Sequence, residues 1–379
     1  MRAVIIGGGI GGLATALALR RVGIESTVVE QVPSIREVGA GLSLWSNAIL
    51  ALRELGTEGK IAEQVIASGS EFDTFSSQTS SGRPIAKSRF TDMAREAGAP
   101  CVCIHRAELQ RILFAQLGPA SVRTGARCVE FDNSTAILES GERIDADFLV
   151  GADGINSIIR AQLHGNEPAR YEGATCWRGI CYASQLLPAR TSLLALGPGT
   201  QFGACPCGQG QVYWFLAKNA PRGTIRSKAD ALAACESWSA PVLDFVHATP
   251  EEAVIQNDIL DRKPLKHWGR GRVTLLGDAA HAATPNLGQG ACQAIEDAVT
   301  LAHAVRANPN IEAALRTYER LRIPRTTAII NDSWRAGQLL QTEQPLIAAF
   351  RDWFSASSIG QRIQTQMFRK LLLHRVPEL

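Results

Sequence analysis

The sequence predicts an α/β fold: a Rossmann-like parallel sheet, an antiparallel sheet inserted into it, and a helical C-terminal part. Three observations carry that reading. A strand–turn–helix–strand unit opens the chain, from Val4-Ile5-Ile6 through a glycine turn to Ser26-Thr27-Val28-Val29-Glu30. β-rich runs separated by Gly and Pro turns occupy residues 173–259. From Ala291 the pattern is helical almost to the end.

Each element has a local reason. Leu13, Ala16 and Leu17 recur at helical spacing after the glycine turn, so the opening is a βαβ unit. Its right-handed crossover makes a parallel sheet the default. Helical spacing returns in Ala48–Leu52 and in Ala107, Leu109, Ile112, Leu113 and Leu117. Phe72 to Phe90, rich in Ser, Thr and Gly, reads as short strands and turns. Residues 121–150 read as an antiparallel patch closing on the strand Asp147–Val150. Ile180-Cys181-Tyr182 and Gln211–Leu216 belong to the second, largely antiparallel sheet. Val273–Leu276 is a strand running straight into Gly277-Asp278.

Composition narrows the class. At roughly 150 residues per domain, 379 residues suggest two or three domains. With 45% hydrophobic and 20% charged residues, wholesale disorder is excluded. The charge balance, 39 − 36 = +3, is spread without long runs and lacks the clustered basic charge of a nucleic-acid binder. No apolar stretch approaches the ~20 residues of a membrane span. A strand-like run from Arg2 leaves no room for a signal peptide, and nine scattered cysteines argue for a reducing cytoplasm over a disulfide framework. The pairs Cys101/Cys103 and Cys205/Cys207 lack further ligands at zinc-site spacing, so no metal is expected.

Three glycine-bearing motifs carry chemistry. Gly7-x-Gly9-x-x-Gly12, between strand and helix, is the dinucleotide fingerprint: a tight turn, backbone approach to a pyrophosphate, and close helix packing. Gly11 lies within it, and the helix N-terminus offers free N–H groups to phosphates. Glu30, 18 residues past Gly12, is positioned to accept bonds from ribose hydroxyls, with Gln31 beside it. Alone the fingerprint specifies an ADP-containing cofactor and fits a nicotinamide dehydrogenase equally well. The second motif is Gly151-Ala152-Asp153-Gly154 with Ser157 and Arg160. The third is Gly277-Asp278-Ala279-Ala280-His281, then Pro285, Gly288-Gln289-Gly290-Ala291 and Glu296-Asp297-Ala298.

Together with His105-Arg106-x-x-Leu109 and Tyr318-Glu319-x-x-Arg322-x-Pro324-Arg325, these motifs resemble the class A (single-component) FAD-dependent aromatic hydroxylases and monooxygenases. Trp45-Ser46-Asn47-Ala48 and Pro285–Gly290 resemble the branch that includes urate hydroxylase and zeaxanthin epoxidase. Many members have Pro-Asn where this chain has Ser46-Asn47. The resemblance implies a GR2-type FAD-binding fold, FAD as cofactor, and NADH or NADPH as a transient reductant. The absence of a second dinucleotide fingerprint agrees with that transient docking. No Trp-x-Trp-x-Ile-Pro signature appears, which argues against the related flavin halogenases. The implied reaction transfers oxygen from a C4a-hydroperoxide of the reduced flavin to a small aromatic or other electron-rich substrate.

The implied cofactor residues are Gly9, Gly11, Gly12, Glu30, Gln31, Gly41, Ser43, Arg106, Asp153, Asp278, Gly288, Gln289, Gly290 and Ala291. Asp278 stands at a strand C-terminus, where open α/β sheets bind ligands, and by resemblance bonds the ribityl-ribose region. Gly288 to Ala291 bare N–H groups at a helix start, an anion site suited to reduced flavin. Arg106 either braces the diphosphate or caps a surface helix. Arg36 is a cofactor contact or a solvated loop charge. Asp153 serves the cofactor or closes an Asx-turn. For substrate, Tyr213 and Phe215 share one face of a strand and Trp214 takes the other, with core packing as the alternative. Arg178, Tyr213 and His281 are the catalytic candidates; Arg178 reads equally as a surface charge and His281 as structural.

The FAD part is expected to be discontinuous (residues 1–70, 100–170 and 266–330). The substrate sheet would comprise 71–99 and 171–265, with C-terminal helices over 331–379. The basic, apolar tail Phe368–Arg375 reads as a helix docked on the body before a membrane contact. A monomer or homodimer is expected, with no nucleic-acid partner. An FAD oxidase or reductase without oxygen insertion, and a flavin-binding protein without turnover, are the rival functions.

Overall fold

A computed structural model describes residues 1–34, 40–56 and 60–379. Its organising element is a five-stranded sheet in the order Val273–Leu275, Phe148–Gly151, Arg2–Ile6, Glu25–Val29, Val122–Arg123. Every pairing in it is parallel. Ala3–Ile6, Phe148–Val150 and Val273–Leu275 are buried throughout, as apolar strands covered on both faces must be. Helix Ile10–Arg21 lies against helix Gly290–Ala307. A Cβ on Gly11 would come within 2.9 Å of Leu276 and 3.3 Å of Ala294, so that glycine serves close helix packing.

The 121–150 segment departs from the expected antiparallel patch. Val122–Arg123 pairs parallel with Val28–Val29 at the edge of the Rossmann-like sheet. Phe148–Gly151 lies inside that sheet. Only Cys128–Asp132, Thr135–Leu138 and Arg143–Ile144 form an antiparallel meander. A two-residue strand is too short to show any period, which is why its partner was illegible.

The inserted sheet has seven strands: Ile255–Asp261, Arg170–Cys181, Gln211–Asn219, Thr200–Gly208, Thr191–Gly197, Thr74–Thr79 and Pro84–Arg89. All neighbours are antiparallel except Thr191–Gly197 with Thr74–Thr79. One face buries Trp177, Phe202 and Trp214 against helices Lys228–Cys235 and Val242–His247. Phe202 stacks between Trp214 and Phe245 at 6.0 and 6.1 Å. Each such ring contributes about 1.5–3 kcal/mol by burial. That face is spent on core, and the opposite one turns toward the Rossmann-like part.

A single helix, Ile311–Leu340, runs across position 330 and carries Pro324 in its interior. Helices Pro345–Ala356 and Ser358–Leu372 follow. Phe368, Leu371 and Leu372 are buried, with Phe368 stacked on Trp45 (5.5 Å, 23°) and edge-on to Phe90 (4.7 Å). The apolar residues of the tail are therefore docked on the body.

Candidate active site

The glycines of the first turn divide into two kinds. Gly7 has φ +110°, and a Cβ there would lie 2.3 Å from the Ala152 carbonyl oxygen; on Gly12 it would lie 1.9 Å from that of Gly7. The chain's own approach demands both. Gly9 differs: a Cβ there would meet nothing. Gly9 also precedes helix Ile10–Arg21 without any side-chain cap, so the first-turn N–H groups face an open cradle of the shape a diphosphate fills.

Glu30 stands at the end of the second strand, and its carboxylate accepts from the Gly8 and Val32 N–H groups at 2.6 and 2.9 Å. Gln31, next to it, is exposed. Arg106 opens helix Arg106–Leu117; its backbone N–H donates to Ala40 and its side chain is exposed. Gln110, one turn on, donates to the Gly8 carbonyl at 2.8 Å and so holds that helix against the glycine turn. Arg36 lies outside the described residues.

Asp153 follows strand Phe148–Gly151. Its Oδ2 accepts from the N–H groups of Ile158 (2.8 Å) and Ile159 (3.4 Å), anchoring the start of helix Ile158–His164. Its Oδ1 is buried without a partner, and burial raises its pKa. Arg160 donates to the carbonyls of Ala279 and Ala280, tying this loop to the one carrying Asp278. Asp278 is exposed at the strand C-terminus, its Oδ1 4.0 Å from where a Gly290 Cβ would stand. Gly288 has φ +60°, and a Cβ there would lie 3.0 Å from the Trp45 indole nitrogen. Trp45 Nε1 and Gln289 Nε2 are both buried donors without partners. Gly290 and Ala291 begin the helix behind them.

Beneath this turn lies a buried ion network that the sequence motifs contained without explaining. Arg322 donates to Glu296 and Asp297, each at 2.6 Å, and to both oxygens of Gln293. Arg325 forks onto Glu296 at 2.8 and 2.9 Å. Asn47 donates to Glu296 (2.6 Å) and Gln289 (3.1 Å). Burial raises the Glu296 carboxyl, but Arg322 and Arg325 outweigh it and hold the group at about 2. His281 is buried and bonded to Asp297 at 2.5 Å, with Gly277 N–H on the same oxygen. It is therefore part of this support, which is the structural role its place beside Asp297 favours.

The substrate-side candidates converge on one face. Gly41–Leu44 pairs with Cys101–His105, and the Tyr213 ring packs directly over Gly41, where a Cβ would be 2.3 Å from that of Tyr213. Phe215 is 6.3 Å from Tyr213 between ring centroids and lies over Gly203. Arg178, directly across the ladder from Phe215, reaches the Tyr213 phenol. Burial pushes that phenol up, with Arg178 opposing. Arg178 is thus on the site-facing side of a strand paired on both sides, not a surface charge on an edge. Ser43, half-buried on the neighbouring strand, faces Cys103.

Residues missed by sequence reasoning include Glu172, Asn286 and Gln201. Asn286 donates to Glu172 at 2.7 Å and accepts from Gln201 at 3.0 Å. Asn286 was visible within the Pro285–Gly290 motif; Glu172 and Gln201 carry no local signal. Among the described residues, no group of three or more His, Cys, Asp or Glu could hold a metal.

An open cradle at Gly9, an orphaned Asp153 oxygen, two orphaned donors beside Gly288 and an exposed Asp278 fit the parts of a dinucleotide flavin. Fold and site define a single-component FAD-dependent monooxygenase, with NAD(P)H as the reductant typical of the class. The FAD binding domain family model matches residues 1–333, and the chain belongs to that family. It is 38% identical to the aurachin C monooxygenase/isomerase of Stigmatella aurantiaca over 97% of each chain. It is 34% identical to the FAD-dependent urate hydroxylase of Klebsiella pneumoniae, over 87% of this chain and 88% of that one. The crystal structure of Klebsiella pneumoniae HpxO with FAD and uric acid superposes with TM-score 0.91 at 30% identity, covering 98% of this chain and 97% of that one.

Proposed function

We propose that the substrate is a small aromatic or other electron-rich molecule held between the flavin and the Tyr213/Phe215 face, where it is hydroxylated or epoxidised. The observation that carries this is the packing of Tyr213 onto Gly41, which brings an aromatic face and the Arg178 guanidinium to the strand flanking the cofactor turn. Bound FAD, reduced by NAD(P)H, supplies the oxygen-activating chemistry. The chain supplies position and polarity. Asp278, Asp153 and Glu30 orient the hydroxyl-bearing parts of the cofactor; the Gly9 cradle and Arg106 take its diphosphate. Helix Gly290–Ala307 presents N–H groups to the negative charge of the reduced ring. Arg178 orients an anionic or phenolic substrate through its donors. Tyr213 and Phe215 exclude water.

A discontinuous FAD part around an inserted substrate sheet is the division we adopt. Nine free, buried cysteines support a cytoplasmic location, and the assembly proposed is a monomer or homodimer. The test is NAD(P)H oxidation by purified holoenzyme with aromatic acids, quinolones, purines and terpenoids under isotopically labelled O2. Label in the product supports the proposal. Hydrogen peroxide with unlabelled product would favour an oxidase, and no stimulated NAD(P)H consumption a flavin carrier.

A further inference from the structure

Helix Pro345–Ala356 is built inside out. Its inward face carries Arg351 and Asp352, buried and bonded to each other at 2.9 Å, with Arg351 also donating to the Leu340 carbonyl. Its outward face carries Leu346, Phe350 and Trp353, which are 85%, 60% and 66% exposed. That spacing, i, i+4, i+7, makes a single stripe. Phe350 and Trp353 pack on each other in the open, ring centroids 5.7 Å apart. Ile359 and Ile363 on helix Ser358–Leu372 are exposed as well. Because the buried Arg351–Asp352 pair fixes the rotation of the first helix, the stripe cannot turn inward without stranding two charges.

The helices and strand beside this face carry more cations than acids; the exposed acids nearby include Glu343, which accepts from Asn219, and Glu96, which accepts from Arg369. Arg362, Arg369 and Lys370 are exposed on helix Ser358–Leu372, which contains no acidic residue. Both helices pack near strand Pro84–Arg89, the sheet edge, which exposes Lys87 and Arg89 and also lacks an acid. Arg369 is paired with Glu96; among the described residues the other four have no carboxylate partner. Exposed aromatic and aliphatic side chains on helices that also expose Lys and Arg are the makeup of a helix lying in an anionic lipid interface. A second copy of the chain would set the same cations against each other across a two-fold axis, a like-charge juxtaposition that opposes association. No described helix is long and apolar enough to cross a membrane, so the contact is one-sided.

We propose that the outward face of helices Pro345–Ala356 and Ser358–Leu372 docks the protein onto an anionic lipid surface, inserting Leu346, Phe350 and Trp353. The stripe lies upstream of the buried side chains Phe368, Leu371 and Leu372 and is independent of which substrate the site takes.

The test is co-sedimentation of flavin-loaded holoenzyme with vesicles of pure phosphatidylcholine and of equal parts phosphatidylcholine and phosphatidylglycerol. The expected result is binding to the mixed vesicles alone, weakened by salt. The double variant Phe350→Glu, Trp353→Glu should lose it while keeping its flavin, since neither ring is buried. Lys87→Ala and Arg362→Ala should each lower partitioning about fivefold, the equivalent of ~1 kcal/mol per basic residue at such a surface. Absence of binding to the mixed vesicles, or binding indifferent to the Phe350/Trp353 variant, would overturn the proposal. A concentration-dependent dimer abolished by that same variant would assign the face to a second copy instead.

Discussion

Glu172 offers a quantitative test of how the inserted sheet is fastened to the turn that carries Asn286. Its Oε1 accepts from Asn286, while its Oε2 is buried without a partner. The nearest cation, Arg170, is committed to a bidentate pair with Asp261 and to the Trp334 ring, 3.5 Å from its centroid. Burial therefore dominates and pushes the Glu172 carboxyl from 4.5 up to about 7; the Asn286 bond opposes this and Asp261 adds to it. Between those two values the folded protein keeps a proton that the unfolded chain releases, so stability falls as pH rises across the window and levels off above it. At about 1.4 kcal/mol per unit the loss is about 3 kcal/mol. Glu172→Gln keeps an acceptor for Asn286 and cannot ionise. Urea unfolding of wild type and variant, both saturated with flavin, should agree near pH 4. The variant should become more stable by about 3 kcal/mol at pH 8. Curves that stay parallel across that range would refute the reasoning.

Three further outcomes follow from the site. Gly9→Ala places its Cβ in open space, so the thermal transition of flavin-free protein should be unchanged while flavin affinity, read by fluorescence titration, drops at least about tenfold (~1.4 kcal/mol). Asp278→Ala should purify with most of its flavin missing; full occupancy would contradict the assignment of that carboxylate. Arg322→Leu leaves Glu296 and Asp297 short of a buried partner and should cost about 3–5 kcal/mol in denaturant unfolding. The wild-type contribution of Glu296 is present above about pH 4.5 and lost as pH falls through about 2. Acid unfolding of the variant should accordingly begin at higher pH.

How much of this was legible depends on the range over which residues act. The glycine turn was readable because Gly7 and Gly12 answer close approaches within one βαβ unit, and spacing alone records such constraints. Asp278 could be placed at the end of its strand because a strand running into Gly-Asp marks the end of a parallel sheet where ligands bind in such folds, and the structure puts it there, exposed. The face of the inserted sheet was not. Tyr213, Trp214 and Phe215 are all aromatic, so alternation separates them without saying which side is core; helices Lys228–Cys235 and Val242–His247 decide it. Arg178 lost its surface reading for the same long-range reason: the strand that contains it gained neighbours on both sides. The motif residues Glu296, Asp297, Arg322 and Arg325 were visible as a pattern, but their pairing joins two helices and leaves no local period. His281 was ambiguous until Asp297 appeared beside it. The tail helix was read correctly as docked because it was apolar, yet the inverted helix just before it was not read at all. Its Arg351–Asp352 pair resembles any solvated dipeptide until burial is known.

The carboxylate of Glu296 receives Asn47 from an early helix and Arg322 and Arg325 from a late one, with His374 at 3.6 Å. During synthesis the glycine turn emerges first, then waits through some three hundred residues for the partners that brace the opposite side of the cradle. The turn at Gly288–Ala291 has no charged footing until Arg322 and Arg325 have left the ribosome. A stalled or truncated product lacking that helix would carry the early glycine turn complete, with Glu296 and Asp297 stripped of the cations that face them.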